Sequence, residues 1–101
     1  MIITRTCAKC ERVFKETMLQ ESHNIPRYLG GKDSDGRRLL CEGCHRSYDK
    51  LIVVGCLKFI HEKLEDDNDI IMWQKELTKQ PDIMKAHFRN LVKKLQAEFF
   101  R

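Results

Sequence analysis

Two Cys-x-x-Cys pairs constrain this chain more than any other feature of its sequence. Cys7 and Cys10 form the first pair, Cys41 and Cys44 form the second, and 30 residues separate the two pairs. The two-residue spacing lets both thiolates of a pair turn onto one ion, and two pairs complete a tetrahedral shell of four sulfurs. Such shells select zinc or an iron–sulfur centre, and zinc fits best. We therefore expect a structural zinc ion, because four cysteines leave no open position on the metal.

The chain is small, so a structural ion would contribute substantially to its stability. With 101 residues, 42% of them hydrophobic, the chain fits one soluble domain with a single modest core. Metal binding would supply stability that so small a core lacks. The fifth cysteine, Cys56, lies in an apolar run and is expected to be a small core residue.

The sequence also bears on where the protein works. No segment reaches the roughly 18 apolar residues that a membrane span requires, so no membrane association is expected. The N-terminus has no signal-peptide pattern, and five cysteines in an unexported chain are expected to be thiols or thiolates. We therefore expect a cytoplasmic protein.

The chain divides near residue 50. Residues 1–50 contain four of the five glycines and four of the five cysteines, and we interpret them as two strands, a loop and the start of a helix near Glu42. Residues 51–101 are almost free of glycine and are expected to be helical. The predicted fold class is α+β, with a zinc-binding unit and a helical C-terminal extension. The extension either packs on that unit or forms a homodimer interface.

Apolar spacing predicts three helices. The first carries apolar residues at i, i+4, i+7 and i+11, namely Val53, Leu57, Ile60 and Leu64. An acidic cluster at residues 66–69 is expected to end it, before a short amphipathic helix marked by Ile70, Trp73 and Leu77. Pro81 and Asp82 fit the first turn of a third helix, whose apolar face is Met84, Phe88, Leu91, Leu95 and Phe99.

Two histidines and one aspartate are expected to lie beside the zinc site. His23 lies near the end of the first predicted strand, His45 follows Cys44, and Asp49 lies four residues later on the same helix face. Folding around zinc would bring these groups together outside the sulfur shell. An imidazole with a free nitrogen and an oxygen ligand are the groups that metal-assisted hydrolysis uses.

Two segments carry a resemblance to a known family. Residues 22–31 read Ser-His-Asn-Ile-Pro-Arg-Tyr-Leu-Gly-Gly, and residues 39–45 read Leu-Leu-Cys-Glu-Gly-Cys-His. With the preceding Cys-x-x-Cys, they resemble the zinc-containing HNH endonucleases, in which (D/H)-H-I-x-P…GG is followed by a strand and L-C-x-x-C-H. The resemblance covers residues 7–50. It implies the ββα-metal fold, a relative of the treble clef, and cleavage of nucleic acid phosphodiester bonds with a divalent cation, Mg²⁺ or Mn²⁺.

The resemblance also implies roles for individual residues. His23 would be the general base that activates water. Asn24, to which the resemblance assigns no role, is expected to compensate for the missing family Asn by holding the His23 ring or backbone. His45 would bind the catalytic metal or a phosphate oxygen, and Asp49 would stand where members often place a second metal ligand. Two positions depart from the family pattern: Ser22 stands where members have a metal-binding Asp or His, and residues 36–40 lack the Asn that gives the family its middle letter.

The basic excess of the chain is compatible with a polyanionic partner. The formal net charge is +4, and five basic residues flank the predicted site, where they would contact phosphates of nucleic acid, most simply DNA: Arg27, Lys32, Arg37, Arg38 and Arg46. Two alternatives remain open. The first is a non-catalytic treble-clef module that binds nucleic acid or a protein, which the two departures favour. The second is a scaffold whose helices recruit a partner.

Overall fold

Two small antiparallel sheets form the first half of the protein. The computed structural model describes residues 2–101. Strand β1 (Thr4–Thr6) pairs with β2 (Val13–Lys15), and β3 (Leu19–His23) pairs with β4 (Arg37–Cys41). In the second sheet Leu19 lies opposite Cys41 and His23 lies opposite Arg37. The predicted hairpin is therefore present, and β1 and β2 add a sheet that was not predicted from the sequence.

Three helices follow the second sheet, in the order α1 (Glu42–Phe59), α2 (Asp69–Thr78) and α3 (Asp82–Phe99). Their number and the start of α1 are as predicted, and α3 begins directly after Pro81. Together with the two sheets they confirm the α+β class. None of the helices in residues 2–101 is both long and apolar enough to cross a membrane.

The first helix is shorter than its apolar pattern predicted. It ends at Phe59, so Leu64 lies beyond it, where it packs beside Val53 and Leu57 from the following loop. His61 adopts a left-handed backbone with φ of 61°, and the N–H groups of His61 and Glu62 donate to the carbonyls of Lys58 and Leu57. This pair of hydrogen bonds is a Schellman motif, which ends a helix by satisfying its last carbonyls.

A tight turn connects β3 to the loop that leads to β4. Gly30 has φ of +84°, and its neighbour Gly31 donates its N–H to the carbonyl of Pro26 at 3.0 Å. A Cβ atom on Gly31 would lie 1.7 Å from the carbonyl oxygen of Ile25. The Gly-Gly pair is therefore required by the close approach of two backbone segments.

The two halves of the chain share one core. Helix α1 runs through residue 50, and the main buried cluster combines residues of the hairpin, α1, α2 and α3, among them Leu19, Leu40, Tyr48, Leu77, Phe88 and Val92. The ring of Tyr48 lies 5.2 Å from that of Phe99 and 5.4 Å from that of Phe100. The Tyr48 hydroxyl donates to the carbonyl of Asn24 at 2.7 Å. Tyr48 thus connects α1 both to the segment that follows β3 and to the C-terminal end of α3.

Candidate metal centre and histidine site

The four predicted zinc ligands converge. The sulfur atoms of Cys7, Cys10, Cys41 and Cys44 all lie within 4.8 Å of one another. Within residues 2–101 they are the one group of three or more His, Cys, Asp or Glu side chains arranged to hold an ion. Four convergent thiols are a ligand set for a metal ion such as zinc.

Backbone hydrogen bonds shape the first cysteine pair into a ligand loop between β1 and β2. The N–H of Cys7 donates to the carbonyl of Arg12 at 3.0 Å, and Glu11 turns the chain with φ of 63°. The N–H of Ala8 donates to the carbonyl of Leu39 at 2.9 Å, which ties the loop to β4. The second pair is positioned by the end of β4 and the first turn of α1, so secondary structure holds both pairs in place.

The pKa values of Cys7 and Cys44 are shifted in opposite directions. Burial alone would raise the pKa of Cys7, but hydrogen bonds from the backbone of Cys41, Cys10 and Lys9 lower it to about 6. Burial and the neighbouring thiols raise the pKa of Cys44 to about 12. One thiolate therefore forms readily, whereas four adjacent thiolates require a cation to offset their mutual repulsion. The fifth thiol, Cys56, is fully buried in the core as expected.

His45 and Asp49 lie beside each other on α1. His45 Nε2 is 3.7 Å from Asp49 Oδ2, and His45 Nδ1 donates a hydrogen bond to the side-chain oxygen of Gln20 on β3. In the neutral imidazole this hydrogen bond places the proton on Nδ1, so that the lone pair of Nε2 lies on the side of Asp49. Burial raises the pKa of Asp49, while His45 opposes that rise. A shallow cleft of about 240 Å³ opens over these side chains.

His23 is paired with an acid instead. Its Nε2 lies 3.1 Å from Oδ1 of Asp33, in the loop before β4, and Nε of Arg27 donates to the same nitrogen at 3.3 Å. The His23 side chain is 17% exposed, and the hydrogen bond to it lowers the pKa of Asp33. Because Nε2 cannot donate and accept at once, the two contacts belong to different tautomers. With the proton on Nε2, the ring donates to Asp33 and Nδ1 is the nitrogen that can accept a proton.

The three predicted catalytic groups do not form one metal-holding cluster within residues 2–101. His45 and Asp49 are adjacent, whereas the measured contacts of His23 are with Asp33 and Arg27. Ser22, the residue before His23, is buried. The Asn24 side chain donates to the carbonyl of Asp35 at 3.2 Å, so it holds the loop rather than the His23 ring.

The five predicted phosphate-binding residues have different surroundings. Three form ion pairs: Arg27 with Asp33 at 3.8 Å, Arg37 with Glu21 at 3.0 Å and Arg46 with Glu42 at 2.8 Å. Arg38 is half-buried, and its Cζ lies 3.9 Å from the centroid of the Phe100 ring. Lys32 is exposed and forms no ion pair with any residue in 2–101.

Gln20 and Asp33 are two site residues that were not predicted from the sequence. Gln20 lies two residues before Ser22 on the solvent side of β3, and Asp33 belongs to the Gly-rich loop. The apolar Leu19 could have indicated that the next residue, Gln20, points to the opposite face of β3. No local signal indicates Asp33, because its contact with His23 depends on the path of the loop.

No family model, curated protein or solved structure matches this chain.

Proposed function

We propose that this protein is a zinc-stabilised HNH-type endonuclease that hydrolyses phosphodiester bonds of DNA. The observation that carries the proposal is the pairing of His23 with Asp33 at 3.1 Å, at the end of a hairpin that leads into a helix bearing His45 and Asp49. A histidine oriented by a carboxylate is the usual arrangement of a general base. The order of ligand loop, hairpin and helix around four cysteines supports the treble-clef, ββα-metal architecture.

His23 acts as the base in this proposal. Asp33 accepts the Nε2 proton of His23, which orients the ring and stabilises the imidazolium that forms when Nδ1 takes a proton from water. The resulting hydroxide attacks phosphorus, and the bond from phosphorus to the leaving oxygen breaks. A divalent cation supplies charge stabilisation at the phosphate when it is bound. His45 Nε2 and Asp49 are the residues that would hold it, and Gln20 positions the His45 ring.

A second candidate function is a non-catalytic module that binds nucleic acid. It is favoured by Ser22, which is buried and leaves His45 and Asp49 without a third protein ligand among the described residues. Mg²⁺ binds through few carboxylates and keeps several waters, so two ligands do not by themselves exclude a metal-dependent reaction.

Plasmid nicking separates the two functions. The full chain, purified with zinc, is incubated with supercoiled plasmid and Mg²⁺ or Mn²⁺, beside His23→Ala and a matched control, His87→Ala. His87 is an exposed histidine on α3 that stacks on Phe59. Cleavage by the parent and the control, but not by His23→Ala, is the expected result. Retardation of DNA without cleavage by any of the three proteins would establish the binding module instead.

A further inference from the structure

A polar cleft of about 540 Å³ lies between the loop before β4 and helix α3. Lys32 and Ser34 line it from the loop, and Arg89, Asn90 and Lys93 line it from α3. Three cations and two neutral hydrogen-bonding side chains therefore face one concave surface. Lys32 is one of the basic residues predicted from the sequence, whereas Arg89 and Lys93 were not predicted as phosphate contacts.

The three cations of this cleft have no acidic partner. Within residues 2–101, none of Lys32, Arg89 and Lys93 takes part in an ion pair. The one acid lining the cleft, Asp35, accepts the backbone N–H of Lys32 at 2.8 Å through Oδ2. The cleft therefore carries a net positive charge that the protein does not neutralise.

The charge pattern of α3 differs from that of α1. Arg89 and Lys93 are four residues apart, and Lys85 precedes them by another four, so like charges are neighbours along the helix. On α1, in contrast, Arg46 pairs with Glu42 at 2.8 Å. Like charges at this spacing destabilise a helix, whereas a bound polyanion would relieve their repulsion.

The cleft and the His23 site share one loop. Asp33 contacts His23, while its neighbours Lys32 and Ser34 line the cleft. The guanidinium of Arg89 lies against the same segment, because a Cβ atom on Gly30 would come within 2.8 Å of Arg89 Nη1. One loop therefore contacts His23 through Asp33 and lines the cleft through Lys32 and Ser34.

We propose that this cleft binds the phosphate backbone of the DNA on which the His23 site acts. The inference rests on the proposed function and extends it by assigning a second phosphate-binding surface, between the loop before β4 and helix α3. Point cations and neutral donors contact phosphate oxygens without reading bases. Binding at the cleft is therefore independent of sequence and positions the strand relative to His23.

Salt-dependent DNA binding tests the proposal. The full chain with zinc is titrated against a fluorescein-labelled duplex of about 20 base pairs by anisotropy, at salt concentrations from about 50 to about 200 mM. The triple variant Lys32→Ala/Arg89→Ala/Lys93→Ala is expected to lower the slope of log K against log salt by about 0.9 per lost contact. It should weaken binding equally for two duplexes of unrelated sequence.

The matched control is Lys58→Ala. Lys58 lines a different groove, an apolar one that it shares with Leu91 and Leu95, so its removal should leave the slope unchanged. An unchanged slope in the triple variant would overturn the proposal, as would a drop of the same size per charge in Lys58→Ala. If the triple variant does not fold, the double variant of Lys32 and Lys93, both exposed, gives the same test.

Two further measurements separate phosphate binding at this cleft from protein binding and from catalysis. Binding to polyglutamate that depends on the three cations, with DNA binding unaffected, would overturn the proposal in favour of an acidic protein partner. A lowered DNA-binding slope in a protein that never nicks plasmid would support the cleft while the nuclease function fails. If the parent nicks plasmid but its DNA binding does not depend on the three cations, the nuclease function is supported and the proposal for the cleft is overturned.

Discussion

Nε2 of His23 lies 3.1 Å from Oδ1 of Asp33. This contact connects the end of β3 to the loop that returns the chain to β4. The contact lowers the pKa of Asp33, because His23 donates to its carboxylate. Asp33 is therefore ionised at neutral pH and able to orient the ring. This contact makes a histidine at a strand end a candidate general base.

Substitution of either partner should affect cleavage differently. His23→Ala is expected to lower the rate by roughly 10²- to 10⁴-fold, the usual contribution of a general base. Asp33→Asn keeps the size of the side chain but removes its charge, so we expect a smaller loss and a change in the pH–rate profile. Initial rates of plasmid nicking across pH measure both effects, and unaltered profiles in both variants would refute the assignment.

Metal analysis of the purified chain should find about one zinc ion per molecule, since four thiols saturate a tetrahedral ion. Cys41→Ser is expected to lose the metal and to unfold, because the ion's binding energy contributes to folding. Cys56→Ala is the matched control. It removes a buried thiol outside the cluster and should cost about 1 kcal/mol while retaining full metal content. Protein free of zinc and iron, yet folded, would contradict the prediction.

Asp49 should make the fold sensitive to pH. Burial raises its pKa, so the folded state binds the proton more tightly than the unfolded chain does. Stability is then lost as pH rises above the unfolded value of about 3.9. Asp49→Asn should therefore be more stable than the parent at pH 7 without added Mg²⁺, and the difference should vanish at lower pH. Thermal melts at several pH values provide the measurement.

The same Asp49→Asn variant should respond less to Mg²⁺ or Mn²⁺. The amide is a weaker ligand than the carboxylate, so cleavage should need more cation. A variant with greater stability and an unchanged cation requirement would show that Asp49 has no part in metal binding.

The contact between Arg38 and Phe100 should stabilise the fold. The guanidinium lies 3.9 Å from the ring centroid, and its Nη1 is buried without a hydrogen-bond partner in residues 2–101. A cation–π pair of this kind contributes about 0.5–2 kcal/mol. Urea unfolding of Arg38→Ala, Phe100→Leu and the double variant gives the coupling energy. Additive losses would mean that the two side chains stabilise the protein independently.

Two glycines should respond to alanine with opposite signs. Gly31→Ala places a Cβ atom 1.7 Å from the carbonyl oxygen of Ile25, so the turn must move, and we expect a loss of more than about 2 kcal/mol. Gly43 lies in the first turn of α1 with nothing within 4 Å of its Cβ position. Gly43→Ala should stabilise the protein by up to about 1 kcal/mol. Equal effects of the two substitutions in urea unfolding would contradict the prediction.

Features that depend on short stretches of chain could be predicted from the sequence. The Cys-x-x-Cys spacing predicted a four-sulfur cluster, since two residues between cysteines suffice to turn both sulfurs inwards. Apolar periodicity predicted three helices, and Pro81 predicted where α3 begins. The predicted end of α1 was wrong because a left-handed residue at His61, which is not glycine, has no reliable sequence signal.

Contacts between distant segments were decided by the tertiary structure. Asp33 instead of Asn24 holds His23, and Gln20 holds His45, because the loop and the strand register bring those side chains there. Periodicity specifies which face of a helix is apolar, but it does not specify what that face packs against. The path of a loop depends on all of its tertiary contacts together. The surroundings of His23 and the cleft beside α3 therefore could not be predicted from local sequence patterns.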